Sequence, residues 1–113
     1  MKKDNRVYLQ DVLDAIAKIE RYTIEQTAHK FAKDQLIQDA VIRNLELIGE
    51  AIGKLPSSFT NKYTNFPSHE AVAMRNFLIH QYDEIDVDTL WETIKKDLPA
   101  LKQQTEVLLA EIN

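Results

Sequence analysis

Leu9, Val12, Leu13, Ile16 and Ile19 recur at the three- and four-residue intervals that gather apolar side chains on one face of a helix. Asp4 or Asn5 can cap this first helix, which runs to about Arg21. Thr23, with Gln26 three positions on, reads as a weak capping box for a short second helix through Phe31. The third segment is the most apolar. From about Asp34 to Gly53, Leu36, Ile37, Ala40, Val41, Leu45, Leu47, Ile48, Ala51 and Ile52 cover more than half of the helical circumference, so this helix is expected to be buried on more than one side. "GKLPSS" is its stop, and "PSSFTNKYTNFP" reads as a loop. Pro67 stands at a favourable first helical position, opening a fourth helix to about Gln81. Asp86 or Asp88 starts a fifth that carries Leu90, Trp91, Ile94, Leu98, Leu101, Val107 and Leu108, with a kink or interruption expected near Lys95 to Leu98 because Pro99 cannot donate into the helix. These elements make one all-α domain over residues 1–113, an up-and-down bundle of four to five helices with short connections.

Composition narrows the chemistry. With 44% hydrophobic residues but only two glycines and three prolines, the chain is neither disordered nor rich in the turn residues that an all-β fold consumes. It has no cysteine, which excludes disulfides, thiolate metal sites and cysteine nucleophiles. The start "MKKDNRVYLQDVL" is interrupted by Gln10, Asp11 and Asp14, and no segment approaches the ~18 uninterrupted apolar residues of a membrane span, so a cytoplasmic protein without membrane contact is expected. A net charge of −4 and a pI near 5.3 argue against non-specific coating of nucleic acid, but leave room for a local cation acting on one phosphate.

Two helices carry polar residues out of pattern. On the third, Asp39, Arg43, Glu46 and Glu50 fall in one narrow stripe. That seam is either a solvated face with Asp39/Arg43 and Arg43/Glu46 ion pairs, or the border of a site whose cation it orients. Asn44 projects instead into the apolar arc, where an amide needs partners to offset its desolvation. On the fourth helix, "MRNFLIHQY" sets Arg75, His80 and Tyr82 among Met74, Phe77, Leu78 and Ile79. In a regular helix Tyr82 would project about 20° from Arg75, whereas His80 would point about 140° away. One helix cannot easily aim both Arg75 and His80 at one atom. Either it distorts near His80, or a second copy of the motif across a twofold axis completes the site. A guanidinium fork matches phosphate oxygens and an imidazole moves protons at neutral pH, so the pair fits phosphoryl or phosphodiester chemistry without a metal. The plainer account makes Arg75 a rim residue, His80 a satisfied interior histidine and Tyr82 a ring that anchors the helix end. His29 and His69 have no comparable company and read as surface residues.

The signature Arg75, "NFLI", His80, Gln81, Tyr82 resembles that of the HepT-like branch of the HEPN superfamily, small helical proteins marked by Arg, four residues, His, one residue and Tyr. "DAVIRNLELIGEAIGKL" is similar to that family's long central helix, "AMRNFLIHQY" to its motif helix, "IDVDTLW" to its next helix start and "VLDAIAKIERY" to its first, in the same order. The resemblance implies the HEPN fold and a homodimer with the motif helices lining a cleft. It implies a metal-independent ribonuclease toxin of a type VII toxin–antitoxin pair, with no cofactor, acting on an RNA substrate. Arg75 and His80 would be its catalytic pair and Asn76 a supporting polar group. The implied antitoxin partner is an MntA nucleotidyltransferase, which neutralises such toxins by AMPylation of the motif tyrosine, here Tyr82. Ala73 stands where the family often has Gly, Ser68 and His69 near a frequent Trp, and Asp83 where an aromatic is common; these departures bear on substrate choice and loop packing. The alternative is a non-catalytic nucleotide- or substrate-binding partner subunit of a minimal nucleotidyltransferase, with Arg75 holding phosphate and His80 structural.

Overall fold

In the computed structural model, which describes residues 4–112, four long helices carry the architecture: α1 (Asn5–Thr23), α3 (Gln35–Gly53), α5 (Ser68–His80) and α7 (Leu98–Ile112). Short helices α2 (Ala28–Ala32), α4 (Ser57–Thr60) and α6 (Val87–Glu92) lie between them. A 3₁₀ turn (Tyr82–Glu84) follows α5, and a π-helical turn (Thr93–Asp97) joins α6 to α7. The expected all-α bundle is the observed class. Among the described residues no helix is long and apolar enough to cross a membrane.

Helices α1 and α3 are bounded by local chemistry. Asp4 caps α1, its carboxylate accepting from the Arg6 backbone N–H at 2.9 Å, and Asp34 caps α3 by accepting from Ile37 N–H at 3.1 Å. No residue among those described has positive φ, so Gly53 does not close α3 in a left-handed turn; Pro56, two residues past the cap at Lys54, prevents its continuation. The weak capping box at Thr23 and Gln26 does not form. Thr23 is still in the last turn of α1, buried, with its hydroxyl donating back to Ile19 C=O at 2.8 Å, and Thr27 caps α2 instead. The stretch read as a loop contains α4, whose Phe59 is buried, and Phe66 beyond it is buried too. Pro99 is accommodated without a break. The π turn widens the helix just before α7, with Leu98 N–H donating five residues back to Thr93 C=O, and the helix runs on through Pro99.

The core is built around α3, which packs on α1 along one side and on α5 along another. Leu9, Val12, Ile16 and Ile19 from α1 meet Val41, Leu45, Ile48 and Ile52 from α3, all buried. At about 25 cal/mol per Å² of apolar surface removed from water, this two-helix seam supplies much of the driving force for folding. Phe31 of α2 is fully buried, its ring 5.1 Å from that of Trp91, and Gln38 holds the Phe31 carbonyl at 2.8 Å. On the far side α7 lies along α1, where Lys102 meets both carboxylate oxygens of Glu20 at 3.2 Å. Helix α5 is held differently: α3 is its principal neighbour, and of its residues only Leu78 is buried.

Candidate functional site

Gly49 sets how closely α5 can approach α3. It is a helical glycine, so conformational freedom is not its purpose. A Cβ placed there would overlap Arg75 Cβ and would lie 2.9 Å from both the Ala71 carbonyl oxygen and Arg75 Cγ. The missing side chain lets the stem of Arg75 lie directly against the α3 backbone. Nothing in the hydrophobic pattern marks Gly49 as part of the site, because a glycine inside a helical run says only that helix propensity was sacrificed; the reason becomes visible when α5 lies across it.

From there the guanidinium of Arg75 runs along the polar seam of α3. Its Nη2 lies 3.7 Å from Glu50 Oε1, and Nη1 donates to Asn76 Oδ1 at 3.2 Å. Nε is buried with no partner. The Glu50 contact is longer than a hydrogen bond, so most of the five N–H donors are unspent, as befits a group that must still meet an anion. Arg43, from the same seam, lies 4.0 Å from Glu50 rather than pairing with Asp39 or Glu46. The seam therefore borders the motif helix, with Glu50 set beside its arginine, and is not the simple solvated face with Asp39/Arg43 and Arg43/Glu46 pairs.

Helix α5 remains regular through His80, its last residue, so the distortion that could have turned His80 towards Arg75 is absent. His80 is exposed at the helix end, and Phe77 and Ile79 are about two-fifths exposed, 43% and 40%. Of the apolar residues that surround the motif, Leu78 is buried and Met74 packs part-buried against the core, while Phe77 and Ile79 face outward. Tyr82 also departs from the helical projection. The helix stops at Gln81, and Tyr82 opens the 3₁₀ turn, so its position relative to Arg75 is set by that turn. Its hydroxyl nevertheless reaches α3, donating to Asp39 Oδ1 at 2.9 Å across 43 residues of sequence. Gln35 Nε2 donates to the same oxygen at 2.8 Å and fixes the carboxylate. Asp39, which accepts the phenol proton in that bond, is the main cause that raises the Tyr82 pKa above its ordinary value near 10, with smaller contributions from Asp83 and Glu46.

Asn44 is buried on the α1 side of α3, as its place in the apolar arc indicates. Its Nδ2 donates to Ala40 C=O at 2.8 Å and its Oδ1 has no partner. His29 and His69 are exposed.

The arrangement comprises a half-buried, under-bonded guanidinium, an exposed imidazole at the end of the same helix and a phenol tethered to a carboxylate. Such a set can hold a phosphate, shuttle a proton and carry a modification on oxygen. Comparison with known proteins gives it a setting. The family model described as "Ribonuclease HepT-like" matches residues 12–108. A Methanocaldococcus jannaschii protein named "Gamma-glutamylcyclotransferase and putative RNase" is 42% identical over the whole of this chain, which spans 51% of that protein's length. The "Probable ribonuclease HepT" of Thermococcus cleftensis is 43% identical over 96% of this chain and 98% of its own. A second M. jannaschii protein, named "Putative RNase", is 37% identical over 98% of this chain and 92% of its own. No solved structure matches.

Proposed function

Since the chain belongs to the HepT-like ribonuclease family, we propose that it is a metal-independent endoribonuclease that works as a homodimer and is silenced by AMPylation of Tyr82. The observation that carries this reading is the split between Arg75 and His80 on an undistorted α5. Arg75 is turned onto α3, with unspent donors, while His80 stands exposed at the helix end. A single copy leaves the two chemical groups diverging, and a twofold partner facing the exposed side of α5 brings a second pair to the same cleft. Phe77 and Ile79 are the apolar surface available for that contact.

In the cleft an RNA phosphate takes the charge of Arg75, whose N–H groups then follow the growing negative charge on the phosphoryl oxygens. His80 moves the proton: it takes it from the attacking 2′-hydroxyl or gives it to the departing 5′-oxygen. Asn76 steadies the guanidinium through its existing hydrogen bond. As the toxin of a toxin–antitoxin pair, the protein would be controlled by an MntA-type nucleotidyltransferase that adds AMP to Tyr82. The added anionic bulk obstructs the cleft and competes with RNA for Arg75. Tyr82 as a residue is half exposed, and its hydroxyl lies at the edge of α3 against the exposed Asp39, open to approach by such a partner.

The test is cleavage of a mixed RNA pool by purified protein in chelator. Arg75→Ala and His80→Ala are each expected to lower the rate by about 10² or more, the ordinary loss for a charge-stabilising or proton-transferring group. Sedimentation of the wild type is expected to give a dimer. Cleavage that survives both substitutions would overturn the assignment.

A further inference from the structure

The Tyr82–Asp39 hydrogen bond joins the 3₁₀ turn to the first turns of α3, and its geometry bears on how Tyr82 could be modified. A phenol is a poor nucleophile while it keeps its proton, and this one is surrounded by negative groups: Asp39 and Glu46 from α3, and Asp83 from its own turn. Each opposes ionisation, so at neutral pH the hydroxyl stays protonated and the proton must leave during the reaction itself. The atom already accepting a hydrogen bond from that hydroxyl is Asp39 Oδ1, at 2.9 Å. The same oxygen is held in place by Gln35 at 2.8 Å, one helical turn earlier in α3. Asp39 is exposed, so the proton can pass on to solvent.

We infer that Asp39 is the proton acceptor for nucleotidyl transfer to Tyr82, supplied by the modified protein itself. The inference rests on the proposed AMPylation. In the step, the Tyr82 oxygen attacks the α-phosphorus of ATP and a new O–P bond forms. The bond from that phosphorus to the bridging oxygen of the β-phosphate breaks, and pyrophosphate leaves with the electron pair. The phenol proton passes to Asp39 Oδ1 and then to water. The product has lost its donor and carries a phosphodiester anion beside Asp39, Glu46 and Asp83, so the modified ring is repelled from the seam. Asp39 thus helps to load the tyrosine and then to expel it towards the cleft.

The experiment follows Tyr82 modification by intact mass, with ATP and an MntA-type nucleotidyltransferase, for wild type, Asp39→Asn, Asp39→Glu and Tyr82→Phe, between pH 7 and 9. Wild type is expected to react at a rate nearly independent of pH. Asp39→Asn keeps an oxygen that can accept the hydrogen bond but cannot take the proton; it is expected to react about 10²-fold more slowly at pH 7. It recovers about tenfold per pH unit, because loss of the neighbouring charge lets the phenol ionise more readily and hydroxide replaces the missing base. Asp39→Glu restores the carboxylate and is expected to regain a flat profile, which carries the test if circular dichroism finds the Asn variant unfolded. An Asn variant as fast as wild type, or slow without recovery at high pH, overturns the role of Asp39, as does an Asp39→Glu variant that needs high pH. Wild type that takes up no AMP, or Tyr82→Phe that takes it up equally, removes the AMPylation reading instead.

Discussion

Replacing Gly49 with alanine adds one methyl group where α3 and α5 leave no room for it. In an isolated helix the change would stabilise by about 1 kcal/mol, since glycine is the poorer helix former. Here the new carbon would overlap Arg75 Cβ and stand 2.9 Å from the Ala71 carbonyl oxygen. Neither atom can rotate away, because both are fixed to the α5 backbone, so the helices must part by roughly 1 Å to restore ordinary contact. Overpacking of this kind costs about 3 kcal/mol at the upper end of its usual range. The net expectation is a loss of about 2 kcal/mol, or about 8 °C in Tm for a domain of this size. Gly53→Ala is the internal control. Its Cβ would meet Val72 Cγ2 at 3.5 Å, an ordinary contact, so this variant is expected to match or exceed wild type by up to about 1 kcal/mol. Thermal and urea unfolding followed by circular dichroism measure both, and RNA cleavage by the folded Gly49→Ala protein is expected to fall by about 10²-fold as Arg75 shifts. A Gly49→Ala protein as stable and active as Gly53→Ala would refute the argument that this glycine exists to seat the arginine.

Two further outcomes follow from single groups. Asn44→Leu removes a buried Oδ1 that has no partner and keeps the volume, so stability is expected to hold or rise by about 1 kcal/mol; a loss beyond about 2 kcal/mol in urea unfolding would mean that Asn44 makes contacts other than its bond to Ala40. The Asp4 carboxyl is lowered to about 2 chiefly by the Arg6 side chain and then by its cap on the Arg6 backbone N–H. A depressed carboxylate pKa stabilises the fold above the unfolded value of 3.8 and loses that contribution as pH falls towards 2. The protection of first-turn α1 amides, taken from the exchange rate relative to the intrinsic rate at each pH, is accordingly expected to fall over that window in wild type, and to be already low at pH 5 in Asp4→Ala.

Much of the bundle is legible in the sequence because α1 and α3 bury continuous faces and carry acidic caps, so periodicity and local chemistry agree. Asp34 and Gly53 bound α3 to within a residue, and Asp86 caps α6 as expected. The discrepancies arise where tertiary contacts decide. Thr23 offers the same hydroxyl for a cap or for a back-bond to Ile19, and burial selects the second. Phe59 and Phe66 lie in a polar stretch without period, so nothing local announces that they enter the core. The candidate site divides in the same way. Arg75, His80 and Tyr82 stand out by residue type, and the seam by its stripe. The pairing of Tyr82 with Asp39 depends on where α5 ends, and the role of Gly49 depends on which helix crosses it. Neither is encoded by spacing along one helix.

The one-sided mounting of α5 has a consequence for dosage. A helix braced mainly by one neighbour opens at lower free energy than one gripped on several sides, and α5 carries Arg75 and ends in His80. In the proposed dimer the second copy supplies the missing brace, and that support follows mass action. Few copies in a cell would then leave the helix loosely held and the nuclease idle, whereas accumulation would both stiffen the helix and assemble the cleft. The protein's own abundance would set a threshold for activity, before any antitoxin acts.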